Sequence, residues 1–244
     1  MGVGLSLPAP ISEEEAKLMR DFVNAHFKAH VKIVVTDPDG KPTNTIEGDV
    51  TDGFTSDFVN LFFGMLFYPL YQSQGGVPVV DVAKNTIYLW SPGTYATPFL
   101  GLCVTNCPGT SGVIYSLKMP GIWLYKSPFS PYAYVWNNYN NLITNITYYS
   151  PSPSPSVGNF PSVSYGGTTQ FSITQQMTNT SGSTLTVSSF AAVGALYSIV
   201  NGALNTPPVF IGFLYFDLAA LGQSPITWSP AAGMTVTVTI QMVT

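Results

Sequence analysis

His26 and His30 are the only two histidines in the chain, four residues apart, and Asp37, Asp39, Glu47, Asp49, Asp52 and Asp57 follow closely. On a helix, that spacing would set both imidazoles on one face, as in a two-histidine metal site. No cysteine or acid stands beside them to complete a ligand set, so a distant pair such as Cys103 and Cys107 would be needed. Surface or interface histidines are the better reading, and no metal ligand is expected. The acids do not follow calcium-loop spacing, and Asp37-Pro38-Asp39-Gly40 reads as a turn. A glycosidase pair needs two carboxylates facing each other across a cleft, which spacing along the chain does not encode. Turn, cap and solvated-face roles are expected for all six.

The second half of the chain is poor in reactive groups. From Ser127 to the C-terminus, 118 residues hold one charged side chain, Asp217, and no histidine. Proton transfer and metal binding rest mostly on His, Asp, Glu, Lys, Arg and Cys. There is no nucleophile elbow, Walker loop or dinucleotide fingerprint, and two histidines close in sequence make a Ser-His-Asp triad improbable. No catalytic residue and no cofactor are expected, and the chain reads as a non-enzyme.

Three further features carry chemistry of another kind. Cys103 and Cys107, in CVTNC, would reach a disulfide if the chain turned at Asn106; free buried thiols are an equal alternative. Asn145-Ile-Thr and Asn179-Thr-Ser are glycosylation sequons. Trp123-Leu-Tyr125 and the tyrosines from Tyr132 to Tyr139 could stack on sugars or line a protein interface, although core packing is the commoner use.

The composition is that of a chain that folds. Hydrophobic residues make up 45% and charged residues 8% of the 244, against about 25% charged in ordinary domains. A formal charge of −4 with eight scattered Lys and Arg argues against nucleic acid and against an anionic membrane surface. No apolar run reaches the roughly 20 residues of a membrane-spanning helix. The N-terminus has no basic region followed by a long apolar core, so no export signal is expected. A polar, weakly charged surface without a leader fits a virion component released by lysis or budding.

The elements that must hold these groups are mainly β. Ser12 and Glu15 form a capping box for a helix over 12–30, with Leu18, Phe22, Val23 and Phe27 as its apolar face. A hairpin follows, Val31 to Thr36 and Thr43 to Glu47, then a helix from Ser56 to about Phe67. Together these make an N-terminal helix–hairpin–helix assembly region over residues 1–74. Over 75–244 short strands are expected at 79–82, 86–90, 99–105, 112–119, 122–125 and 137–149. The Pro/Ser-rich stretch at 150–156 should be extended and exposed. Phe171, Ile173 and Met177 mark a strand that turns at Asn179 to Gly182 and returns through Leu185 and Val187 as a hairpin. The last strand carries Met234, Val236, Val238, Ile240 and Met242 inward, with Thr235, Thr237, Thr239 and Gln241 outward. The expected fold is mainly β, a β-sandwich or jelly-roll-like domain behind the helix–hairpin–helix region.

The C-terminal residues, mainly 168–244, carry a resemblance. A strand ends in a turn at Asn179 and Gly182, then come Val193 to Tyr197, Phe213 to Asp217 and the closing strand from Pro230 to Ile240. This order resembles tail and other virion-surface β-sandwich proteins of bacterial and archaeal viruses. VKIVVTDPDGKP before an apolar helix is similar to the opening of such proteins. Two positions depart from the pattern: Ser189 and Phe190 stand where an acid is often found, and no Arg accompanies Asp217. The resemblance implies a structural protein of a virion (tail, capsid or spike), acting by homo-oligomeric assembly and surface display, from a virus of a thermophilic archaeon or bacterium. Its partners would be itself and other virion proteins, with a host-surface glycan as a further candidate. The alternative is a secreted adhesin, a pilus subunit or a carbohydrate-binding module.

Overall fold

The computed structural model describes residues 13–66, 121–128, 141–143, 169–196 and 209–243, with short segments at 77–80, 86–89, 96–97, 102–103, 146–149, 162–165, 199–200 and 203–204. Two helices, α1 (Glu13–His26) and α2 (Ser56–Leu66), accompany the strands. The first four strands are β1 (Phe27–Thr36), β2 (Pro42–Val50), β3 (Val77–Val80) and β4 (Thr86–Leu89). Next come β5 (Ala96–Thr97), β6 (Leu102–Cys103), β7 (Gly121–Tyr125), β8 (Ile146–Tyr149) and β9 (Ser162–Tyr165). The C-terminal part holds β10 (Gln170–Asn179), β11 (Leu185–Val187), β12 (Ser189–Leu196), β13 (Ile199–Val200) and β14 (Ala203–Leu204). Last are β15 (Val209–Asp217), β16 (Ile226–Trp228) and β17 (Gly233–Met242). The chain is mainly β, as expected, and its described strand pairs are antiparallel.

The largest sheet runs β2-β1-β17-β10-β8, with β9 also on β10. Its backbone is set by alternation. Val31, Ile33, Ile173, Val236, Val238 and Ile240 are all 2% exposed or less, and each such burial contributes about 1.5–3 kcal/mol. A second sheet places β12 between β15 on one side and β6 and β7 on the other. Its Phe190, Ala192, Phe213, Leu214 and Phe216 join the first sheet's inward side chains in one continuous core. The hairpin β1–β2, expected within an N-terminal region, thus shares a sheet and a core with β17.

Helix α1 stops at His26, short of the expected residue 30. From Phe27 the chain FKAHVKIVV alternates in burial with a period of two, and β1 finds partners on both edges, β2 and β17. Two ladders of main-chain bonds outweigh the helical preference of four residues. The apolar stripe on α1 also divides: Val23 is fully buried, whereas Leu18 is 62% and Phe22 43% exposed. The second helix starts at Ser56, as read from the sequence, because Thr55 caps it: its hydroxyl accepts from Phe58 N–H at 3.2 Å.

The expected hairpin through Leu185 and Val187 does not form; β11 pairs with β16. The edges of β10 are already occupied, by β17 on one side and by β8 and β9 on the other, so the returning segment has no edge to join. Met242 is 46% exposed, because it lies beyond the buried run of β17. Of the expected strands, 122–125 matches β7, 86–90 matches β4, and β3 begins two residues early, at Val77. Residues 112–119 and 150–156 lie outside the described residues.

Candidate functional site

The outward face of the large sheet gathers charged and hydroxyl side chains. Along β1, Lys28, His30, Lys32 and Val34 alternate with the buried Ala29, Val31, Ile33 and Val35. The strand registers align polar residues in rows across four strands. One row runs Asp49, His30, Thr239, Ser172, and the next runs Glu47, Lys32, Thr237, Thr174. Ser172 and Thr239 share a hydroxyl–hydroxyl hydrogen bond of 2.8 Å, and Thr174 and Thr237 one of 3.0 Å. The face grades from charged at β2 to hydroxyl-rich at β10.

His30 is the centre of the charged end. Its Nδ1 lies 2.8 Å from Asp49 Oδ1 and its Nε2 3.2 Å from Glu47 Oε1, while Lys32 Nζ is 2.9 Å from Glu47 Oε2. The hydrogen bond to Asp49 raises the His30 pKa above its ordinary 6.5, against a smaller opposing effect of burial, and Glu47 adds to the rise. Lys32 first, and His30 second, hold Glu47 below its ordinary 4.5. An imidazolium gripped between two carboxylates has no lone pair to act as a base. The arrangement binds β1 to β2 and does not activate a nucleophile.

Asp37, Asp52 and Asp217 are also committed to structure. Asp37 Oδ1 accepts from the N–H groups of Asp39, at 3.0 Å, and Lys41, at 2.8 Å, closing the turn whose Gly40 has φ +82°. Asp52 Oδ1 accepts from Asn24 Nδ2 at 2.9 Å. Asp57, at the start of α2, is 3% exposed. Asp217 Oδ1 accepts from Ala220 N–H at 2.6 Å, so it caps the turn after β15. Its register partner is Ser189, whose buried hydroxyl donates to Ser127 O at 2.9 Å. Asp49, Thr51, Asp52, Asp217 and Leu221 border a cleft of about 110 Å³. No group of three His, Cys, Asp or Glu positioned to hold a metal occurs among the described residues. No described helix is long and apolar enough to cross a membrane.

The structure separates the two histidines. His26 ends α1 with Nδ1 2.8 Å from Phe22 O and its ring stacked on Phe22, whereas His30 stands on β1. Asn179 is a correction to the sequon reading. It is 1% exposed, its Nδ2 donates to Ser183 O at 2.8 Å and Trp228 O at 2.9 Å, and its Oδ1 accepts from Ser181 Oγ at 2.7 Å. A glycan on that nitrogen has no room beside those bonds. Trp123 and Tyr125 are 2% and 1% exposed and belong to the interior, not to a sugar platform. Asn145, Cys107 and residues 132–139 lie outside the described residues; for Cys103 only the backbone, in β6, is described.

Two polar residues were missed by pattern reading. Gln175 stands inward between Ile173 and Met177, is fully buried, and its Oε1 accepts from Ile122 N–H at 2.5 Å. It thereby ties β10 to β7, and Gly121, at φ +143°, makes room for it: a Cβ there would lie 2.6 Å from Gln175 Oε1. The signal was present, since Gln175 occupies the inward phase of FSITQQM. The other is Thr55, whose hydroxyl donates to Gly212 O at 2.6 Å and joins the α2 cap to β15. With this geometry in hand, comparison with protein-family models, with curated proteins and with solved structures gives no match.

Proposed function

We propose that this chain is a structural protein of a virion, a jelly-roll-like β-sandwich that works by assembling with copies of itself and displaying its outer surface. The observation that carries this reading is the use made of the reactive groups: His30, Glu47, Asp37, Asp52 and Asp217 each hold a turn, a strand pair or a loop, including Asp52 and Asp217, which border the small cleft. A broad antiparallel framework with its ionisable groups in structural pairings suits a building block better than a catalyst. The resemblance of residues 168–244 to virion-surface proteins of bacterial and archaeal viruses supports the same reading, with a thermophilic host and an extracellular particle as its setting. Other virion proteins would be its further partners.

The contact surface we assign to self-assembly is the outer side of α1. Leu18 and Phe22, one turn apart, are exposed, and Phe22 continues inward to Phe62 and Phe63 at ring-centroid distances of 6.3 and 5.7 Å. Exposed apolar side chains continuous with a core are characteristic of association surfaces. Size-exclusion chromatography with light scattering, followed by negative-stain microscopy, tests the reading. Defined homo-oligomers, rings or filaments are the expected result, and a stable monomer at high concentration would overturn it. In the adhesin or carbohydrate-binding alternative, Trp123 and Tyr125 are buried and cannot serve as the glycan platform.

A further inference from the structure

The outer edge of β2 is an open place in the large sheet. Among the described strands β2 pairs only with β1, and Pro42 to Thr45, Glu47 and Asp49 are exposed. The amide of Val243 on the carbonyl of His26 sets the hydrogen-bond phase of β1. Lys28, His30, Lys32 and Val34 turn their main-chain groups toward β17, and Ala29, Val31 and Ile33 turn theirs toward β2. Thr45, Glu47 and Asp49 stand opposite Val34, Lys32 and His30, so their N–H and C=O groups point away from the sheet. A row of such groups is a template for another strand. Pro42 and the bulge between Val35 and Thr36 blunt only the end of β2 next to the turn.

The other end of this edge adjoins the cleft of about 110 Å³, lined by Val50, Phe216 and Leu221 and by Asp49, Asp52 and Asp217. Leu221 lies against the inward side of β2, since a Cβ on Gly48 would be 3.3 Å from its Cδ2. An apolar cavity of about 150 Å³ holds a benzene ring, so this one has room for a single aliphatic side chain. Main-chain pairing along an edge, with a pocket for an alternate side chain, is how a sheet captures an extended peptide.

We propose that this edge and its cleft form a strand acceptor, and that its occupant is the segment from Met1 to Leu7 of a second copy of the chain. That segment lies outside the described residues. Its Met1, Val3, Leu5 and Leu7 alternate with Gly2, Gly4 and Ser6, the period-two pattern of a strand with one apolar face and one of small residues. Pro8 and Pro10 end the pattern before α1 begins at Glu13. Residues 1–12 carry no charged side chain, so none repels Glu47, Asp49, Asp52 or Asp217. The small face lets Glu47 and Asp49 keep Lys32 and His30, while an aliphatic side chain of the other face enters the cleft. In the single chain β2 stands exposed, so the strand comes from a neighbour. The proposal rests on the assembly reading, in which Leu18 and Phe22 bring copies together; the donated strand then ties one copy to the next.

Two full-length variants test it: Leu5→Cys made with heavy isotopes, and Ala220→Cys, at a residue lining the cleft, made with natural ones. After mixing and mild oxidation, mass spectrometry should find a disulfide between a heavy Leu5 peptide and a light Ala220 peptide. Amide hydrogen exchange of the unaltered chain reads the edge itself. Thr45, Glu47 and Asp49 should be protected along with Ile46 and Gly48. In Leu5→Asp only the first three should lose protection, by about ten-fold, and retained protection of Ile46 and Gly48 reports an intact fold. Unprotected Thr45, Glu47 and Asp49 in assembled protein would overturn the acceptor. So would a link that forms within a Leu5→Cys, Ala220→Cys double variant but not between copies. Light scattering keeps the two readings apart: oligomers without the link leave assembly standing and overturn the acceptor, whereas a monomer overturns assembly and the acceptor with it.

Discussion

At the scale of single residues, the chemistry of this chain is turned inward to hold backbone. Asn179 is the clearest instance, with its amide satisfying the carbonyls of Ser183 and Trp228 and ordering Ser181. Asn179→Ala strands these buried groups, and urea denaturation should show a loss of about 2–3 kcal/mol. The sequence displayed Asn179-Thr-Ser and invited a glycan reading, because a sequon and a turn that needs an Asn side chain use the same letters. His30 was visible as a titratable group, but not its partners. Glu47 and Asp49 reach it only through the β1–β2 register, which a one-residue slip would have reversed.

Among the elements, alternation was the reliable guide and length was not. The inward set Met234, Val236, Val238 and Ile240 was readable, although the same alternation also pointed Met242 inward, where it is exposed; the start of α2 was readable too. The end of α1 was not, since Phe27 to His30 fit a helical stripe as well as a strand, and only pairing with β2 and β17 decides between them. Pairing partners were the least legible feature: β11 was expected beside β10 and lies beside β16. The joint between β10 and β7 makes a sharp prediction. Gly121→Ala places a methyl 2.6 Å from Gln175 Oε1 on backbone at φ +143°, which should destabilise the fold by about 3 kcal/mol in thermal or chemical unfolding. On the outer face, the Thr174–Thr237 hydroxyl pair should give a coupling of about 0.2–1 kcal/mol in a double-mutant cycle with valine.

At the scale of the whole molecule, the two main sheets enclose one core, and among the described residues the exposed large apolar side chains are Leu18 and Phe22 on α1 and Met242 at the end of β17. Leu18→Glu alters a side chain that is 62% exposed, so unfolding stability should change by no more than about 0.5 kcal/mol. Light scattering of the same variant should show loss of self-association; retained oligomers would place the contact elsewhere. The overall mainly-β character followed from composition and period, whereas the layout of sheets did not, because it depends on pairings between segments far apart in sequence.

That distance has a consequence for how the protein is made. β1 leaves the ribosome long before β17, its partner over the whole span from Phe27 to Thr36, and the amide of Val243 closes on the carbonyl of His26 at 2.7 Å. At a synthesis rate of about 5–20 residues per second, β1 waits many seconds with one edge unpaired and its Val31, Ile33 and Val35 uncovered by their final neighbours. The hairpin arm β2 is the first strand available to shield it, and the central sheet closes only once β17 has emerged.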